Sequence, residues 1–469
     1  MTGTTRQLSE FVAALNVSGG GANVPAEVVD RAKVLIADTI GIAIRARHDA
    51  DSTEAVINAI EKLGLAGNGA SVFGEPRSFT PLGATIINGT LAHSLDFDDT
   101  HASASTHSSA PIMPAALAAA EMCGASGADV VAGVIAGYEV QLRLALALVP
   151  KDHYERGFHP TATCGVFGAV AAASRVMGLS ADQIENAFGA AGSQASGSMQ
   201  FLENGSWNKR FHVGHASGSG LTAAVLASEG YKGSSNAFEG KAGFLHAYAP
   251  NPKVELATAG LGDVWETMNL AVKPYPTCRY SHAAMDALID LRNTNDVATD
   301  DIESVEIGLP KMGWKIIGDP IEVKQAPTNV VDGQFSMPFC AAVALREGKM
   351  AWDDYDRHLT DADTMSLCQR INTVVDEKPE AEFPRNMSAV VRLTTKAGEH
   401  EAFVIVPKGE PSNFVSDEEI RSKFMGLVEP YLTNAQAEDL LGSLLALDKQ
   451  PGINDIMAIS RAAQVREVA

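Results

Sequence analysis

The chain has 469 residues, of which 46% are hydrophobic and 20% charged, and a formal net charge of −21 at pH 7. This is the make-up of a soluble globular protein too long for one ordinary core, so it predicts two domains or one large helical domain carrying an insertion. The acidic excess argues against nucleic acid or an anionic membrane as partner, but it leaves room for a small anionic substrate bound by a local cationic cluster. The five cysteines (Cys123, Cys164, Cys278, Cys340, Cys368) are scattered, with no Cys-x-x-Cys. They predict reduced thiols in a cytoplasmic protein and argue against a zinc ribbon or iron–sulfur cluster. The most apolar run, residues 130–149, is interrupted by Glu139, Gln141 and Arg143, so no membrane span is expected. The first residues lead straight into an amphipathic pattern without an apolar signal core.

In chain order, Leu8, Phe11, Val12 and Leu15 have the spacing of a helix stripe. Pro25 opens a longer helix with Val28, Ala32, Leu35, Ile36, Ile40 and Ala43 on one side, and residues 52–65 predict a third. Residues 80–92 read as a helix with Thr80 as N-cap and Pro81 at its first position, and residues 111–121 as a second buried helix. Residues 127–230 form a series of Ala- and Gly-rich helices, with a capping box at Ser180-Ala-Asp-Gln183 and almost wholly small or apolar stretches at 161–177 and 214–228. Beyond about residue 270 the pattern alternates: 302–309, 388–395 and 400–406 predict strands, the last two joined in a hairpin. Residues 335–346 and 361–373 predict helices between them. The expected architecture is mainly α: a large all-helical domain from residues 1–270 with 412–469 returning to it, and a smaller α+β lid from 271–411.

Between two apolar helices stands His93-Ser-Leu-Asp-Phe-Asp-Asp-Thr-His101, followed by His107-Ser-Ser-Ala-Pro111. Ionisable groups at such a junction are costly to desolvate unless they are paired or used. If the first helix runs on, Asp96 and Thr100 share one face with His93; the alternative is that Asp98 and Asp99 merely solvate a loop. The histidines lack the His-x-x-x-His spacing of a helical zinc site, so no metal is expected. Three further stretches place ionisable groups in apolar or rigid contexts: Gly157-Phe-His159-Pro-Thr161, Asn208-Lys209-Arg210-Phe-His212, and Lys273-Pro-Tyr-Pro-Thr-Cys-Arg279-Tyr280-Ser-His282. The second sets cations ahead of a helix expected near Gly214, an anion-binding arrangement, and the third stiffens the expected domain boundary with prolines. Nucleotide-binding loops and a nucleophile elbow are missing, which leaves acid–base chemistry on a small di- or tricarboxylate.

Asp96-Phe-Asp-Asp-Thr100 with His107, Gly157-Phe-His-Pro-Thr161, Asn208-Lys-Arg-Phe-His212 and Lys273-Pro-Tyr-Pro-Thr-Cys-Arg279 resemble the successive motifs of the MmgE/PrpD family over nearly the whole chain. That family includes 2-methylcitrate dehydratase, cis-aconitate decarboxylase and iminodisuccinate epimerase. The resemblance implies a helical domain with an α+β lid, a homodimer, and activity without metal or organic cofactor. It places active-site positions on Asp96, Thr100, His107, His159, Lys209 and Lys273. Two departures stand out: Ser108 follows His107 where Pro is common, and Lys209-Arg-Phe-His212 replaces a usual Lys-Pro-Leu-His, so Arg210 and Trp207 alter the expected pocket.

The expected roles follow. Lys209 and Lys273 bind substrate carboxylates and stabilise developing charge, His107 is general base or acid, Asp96 orients it, and His159 is the partner acid. Thr100, Arg210, His212, Arg279 and Tyr280 complete the substrate contacts. The leading reaction is dehydration of a hydroxy-polycarboxylate such as 2-methylcitrate, with decarboxylation of the cis-aconitate type or epimerisation as rivals. A catalytically inactive carboxylate-binding protein is the alternative from another class.

Overall fold

The computed structural model describes residues 3–203 and 206–461. Helix accounts for 59% and strand for 10%, so the fold is mainly α with a smaller α+β portion. Two compact units divide the chain: Met1–Ala271 with Ile420–Ala469, and Val272–Glu419.

The first unit is a stack of helices: α1 (Thr4–Ala14), α2 (Ala26–Asp49), α3 (Thr53–Lys62), α4 (Pro81–Ala92), α5 (Ser109–Cys123), α6 (Gly127–Ala147), α7 (Pro150–Glu155), α8 (Pro160–Thr163), α9 (Gly165–Val176), α10 (Ala181–Ala191) and α11 (Asn208–Ser228). Helices Asn434–Leu445 and Asn454–Arg461 return to it. Local chemistry sets the helix starts. Thr80 accepts the Gly83 N–H ahead of Pro81, and Ser126 and Ser180 close capping boxes. Gly124, in the left-handed conformation at φ +67°, ends α5.

Helix α6 is long and apolar enough to cross a membrane by length and composition, yet 94% of its apolar window is buried inside the protein. It is a core helix, and its polar residues have partners there. Glu139 accepts from the Thr267 and Glu266 amides, while Arg143 donates to the Ala259 and Val264 carbonyls. Small residues let α4, α5, α9 and α11 approach closely. A Cβ at Gly89 would stand 2.8 Å from the Gly214 Cα, and one at Gly214 would run into the Ile86 carbonyl and Thr90 Oγ1. This contact fixes the start of α11 against the end of α4.

The structure departs from the sequence expectation at several points. A two-stranded antiparallel hairpin, β1 (Ala66–Val72) and β2 (Glu75–Phe79), interrupts the unit expected to be all helical; its first four residues are exposed and its glycines hide the strand pattern. The helix expected over 161–177 is broken at Cys164 into α8 and α9. The helix expected near Gly214 begins at Asn208, so Lys209, Arg210 and His212 lie within its first turns. Helix α4 stops at Ala92, and Asp96 sits at φ +53°, so Asp96 and Thr100 do not stack on a helix face.

The second unit has a four-stranded sheet in the order β4-β3-β5-β6: β3 (Ile302–Leu309), β4 (Ile371–Val375), β5 (Ala389–Thr395) and β6 (Gly398–Val404). Strand β3 runs parallel to β4 and antiparallel to β5, and β5–β6 is the expected hairpin. Helices α12 (His282–Thr294) and α13 (Met337–Glu347) supply most of the apolar cover. The stretch expected as one helix over 361–373 is a short helix, Ala362–Cys368, followed by β4. Pairing with β3 overrides local preference there.

Candidate active site

The chain between α4 and α5 carries the densest ionisable cluster, and α4 delivers it as a tight bend. His93 caps α4 and is buried, and Asp98 and Asp99 have no exposed surface. The reading of these two aspartates as loop-solvating is therefore overturned. Asp99 accepts the Ser109 N–H at 3.1 Å, satisfying a donor at the start of α5, while Ser109 Oγ bonds Tyr138 Oη at 2.5 Å. Burial and the neighbouring Asp98 charge push the Asp99 carboxyl up to about 7.

Asp98 faces two imidazoles. Its Oδ2 accepts from His93 Nδ1 at 2.7 Å, and His107 Nδ1 lies 3.3 Å from the same oxygen, off the hydrogen-bonding direction. Burial would raise the Asp98 carboxyl, but the two imidazoles hold it well below the usual range. Burial pushes the His107 imidazole down to about 4, and Asp98 only partly opposes it. The His107 backbone N–H donates to Thr161 Oγ1 at 3.1 Å, and Gln141 Nε2 donates to the Thr161 carbonyl at 3.1 Å. Thr161, of the Gly-Phe-His-Pro-Thr motif, thus fixes His107.

Pro160 starts α8 directly after His159, whose N–H donates to the Gly197 carbonyl at 2.9 Å. His159 Nδ1 lies 2.8 Å from His212 Nε2. Burial and the adjoining His212 hold His159 well below its ordinary value, and burial together with His93 and Lys209 takes His212 to about 3. Successive ring centroids stand 4.7 Å (His107–His93), 6.0 Å (His93–His159) and 4.9 Å (His159–His212) apart, a continuous histidine array. On α11, Lys209 Nζ reaches Asp96 Oδ1 at 2.6 Å; burial works against the ammonium, but Asp96, with Asp98 and Tyr154, raises it above its ordinary value. Tyr154, pushed up to about 12 by burial, donates to the Ser105 carbonyl at 3.2 Å.

The first unit thus brings Asp96, His107, His159, Lys209 and His212 into one cluster. Thr100 is buried and bridges Ala271 through both backbone groups. Three expected roles change. The carboxylate at the His107 ring is Asp98, and Asp96 serves Lys209. The Nε2 of His212 is taken by His159, so this nitrogen supports a histidine in place of a substrate. Arg210 turns to Ser52 Oγ (3.1 Å) and Asp51 (3.5 Å), so its guanidinium is engaged there. Lys273, Arg279 and Tyr280 belong to the second unit: Lys273 is buried, Arg279 pairs with Glu410, and the Tyr280 ring stands 6.3 Å from that of Phe383.

His93, Asp98 and Thr161 join the site beyond the residues to which the motifs assign catalytic roles. Their signal was present, since two aspartates and a histidine stand between apolar helices, but spacing could not say which carboxylate meets which ring. His93, Asp98 and His107 also form a group whose ligand atoms lie within 4.8 Å of one another. A tetrahedral ion with bonds of roughly 2.0–2.1 Å keeps its ligand atoms about 3.3 Å apart. The 2.7 Å between His93 and Asp98 is a hydrogen-bond length, whereas the 3.3 Å between His107 and Asp98 matches that spacing.

Two family models match: the MmgE/PrpD N-terminal domain over residues 6–257 and the MmgE/PrpD C-terminal domain over residues 275–448. The chain is 29% identical to a cis-aconitate decarboxylase-like protein, oryM, of Aspergillus oryzae, across 97% of this chain and 96% of that protein. It is 26% identical to a cis-aconitate decarboxylase of Aspergillus terreus, across 93% and 92%. With the human cis-aconitate decarboxylase it shares 28% identity over 68% of this chain and 66% of that protein. With both family domains matched in order around this histidine cluster, the chain belongs to the MmgE/PrpD family.

Proposed function

We propose that this chain is a lyase that moves a proton at a carbon beside a carboxylate of a small polycarboxylate, using its own side chains as acid and base. One observation carries the reading: His107, with Asp98 3.3 Å from its ring, shares a largely buried cluster with a second histidine, His159, and a cation, Lys209. An ammonium has three donors, so Lys209 can keep Asp96 and still bind a substrate carboxylate, stabilising charge that builds on an already anionic substrate.

Decarboxylation of the cis-aconitate type is favoured by the full-length likeness to proteins of that name. In it a proton is delivered to the alkene carbon, the electron pair of the bond to the departing carboxylate becomes the new double bond, and CO₂ leaves. Dehydration of a hydroxy-polycarboxylate is the second reading, supported by a specific feature. His107 is held neutral at pH 7, the state required of a base that takes the proton beside a carboxylate. The hydroxyl then leaves with a proton from a second acid.

Incubation with citrate, 2-methylcitrate, cis-aconitate and iminodisuccinate in D₂O, followed by NMR with and without EDTA, separates these readings. Deuterium incorporation with CO₂ release indicates decarboxylation, loss of the hydroxyl indicates dehydration, and exchange alone indicates epimerisation. Tight binding of every compound without exchange or turnover overturns the lyase reading in favour of a binding protein. Loss of turnover on chelation overturns the assignment of the chemistry to side chains alone.

A further inference from the structure

His93 is buried, yet only one of its two nitrogens is satisfied. Nδ1 donates to Asp98 Oδ2 at 2.7 Å, while Nε2 is buried with no hydrogen-bond partner among the described residues. Buried polar atoms are mostly paired, because leaving one without a partner forfeits its hydration. Asp98 is equally sparsely held: its Oδ1 is buried without a partner among the described residues, and its Oδ2 is the oxygen that both His93 and His107 approach. One carboxylate oxygen thus serves two imidazoles unequally. His93 has the short, aligned bond, and His107 stands 3.3 Å away and off line.

We propose that His93 is a positioning residue that occupies Asp98 and so withholds it from His107, keeping His107 a neutral imidazole with its proton-accepting nitrogen available. An aspartate bonded squarely to a histidine ring stabilises the imidazolium and strengthens the base. Here the aligned bond goes to the other ring. The remaining charged and titratable groups facing His107 are Lys209 of α11, whose ammonium disfavours a second positive charge, and His159 at the start of α8. Lys209 is in turn faced by Asp96 and Tyr154. Burial is the largest influence lowering His107, and among these groups only Asp98 opposes it, so its allegiance tunes the protonation of His107. The assignment concerns the free protein and stands or falls independently of the substrate.

The test uses full-length protein labelled with ¹⁵N at histidine, with the His107 signals identified by their loss in His107→Gln. In His93→Leu no donor remains to hold Asp98, and the His107 titration midpoint should rise by at least one pH unit, a tenfold gain in proton affinity. In His93→Asn the amide nitrogen stands where Nδ1 stood, so the midpoint should stay near that of the unsubstituted protein. An unchanged midpoint in His93→Leu, or an equal rise in both variants, overturns the proposal. If His93→Leu does not fold, the unsubstituted protein decides. His93 should show the Nδ1-protonated ring with a downfield, slowly exchanging proton, and finding that proton on His107 overturns the assignment.

Discussion

Asp96 and Lys209 meet at 2.6 Å although 113 residues separate them in the chain. Asp96 reaches this position from a left-handed backbone conformation, φ +53°, which aspartate and asparagine tolerate better than other non-glycine residues. A partly buried ammonium is thereby given a fixed counter-charge before any substrate arrives.

Asp96→Asn keeps the backbone preference and removes that charge. Burial then acts on Lys209 unopposed by its nearest carboxylate, so its ammonium should lose its proton at lower pH. The alkaline limb of the kcat/KM profile is expected to move to lower pH, with a raised KM at neutral pH. An unchanged profile would remove Lys209 from substrate binding.

His107→Gln is expected to abolish turnover while leaving substrate binding largely intact, because glutamine keeps similar size and hydrogen bonding but cannot transfer a proton near neutral pH. Residual kcat above about a tenth would assign His107 a supporting part.

The same variant gives a stability prediction. The folded protein holds His107 at about 4, below its ordinary 6.5, so between these values the unfolded chain binds the proton and the folded chain does not. Its contribution is therefore fully present above pH 6.5 and is lost as pH falls toward about 4. In urea titrations the advantage of the unsubstituted protein over His107→Gln should shrink across that window. A constant difference from pH 7 to 4 would mean that His107 titrates normally in the folded state.

Gly214→Ala tests how the site is held. Its Cβ would strike the backbone carbonyl of Ile86, and overpacking of this kind costs about 1–3 kcal/mol. Since Lys209 and His212 lie on the preceding turns of α11, kcat/KM should fall along with the melting temperature. The control is Gly218→Ala, whose Cβ meets only the Ile86 and Leu82 side chains one turn further along. It should cost less activity, and equal losses in the two variants would argue against the crossing as the positioning device.

The caps at Thr80, Ser126 and Ser180 could be read from the sequence because each is decided within four residues, where side-chain oxygens and backbone N–H groups meet through local geometry alone. The alternation in β3, β5 and β6 was legible for the same reason, since one buried face imposes a period of two. Strand β4 was not, because its parallel partner β3 lies more than 60 residues away. The start of α11 was misplaced because the polar Asn208-Lys-Arg run resembles a loop until packing against α4 continues the helix through it.

By itself, the sequence determined the mainly helical class, the family motifs and the residue types of the site: histidines, aspartates and lysines set among apolar helices. Those are matters of composition, short-range periodicity and order along the chain. Only the tertiary structure decided the pairings. Asp98 rather than Asp96 lies at the His107 ring, Asp96 holds Lys209, His212 backs His159, and Arg210 leaves for Ser52. The reason is the bend after α4, where a left-handed residue at position 96 breaks the helical register and sends neighbouring carboxylates in different directions. Where a side chain arrives after such a bend depends on what packs around it, and on this chain that is a close crossing between α4 and α11, whose residues lie more than a hundred positions apart.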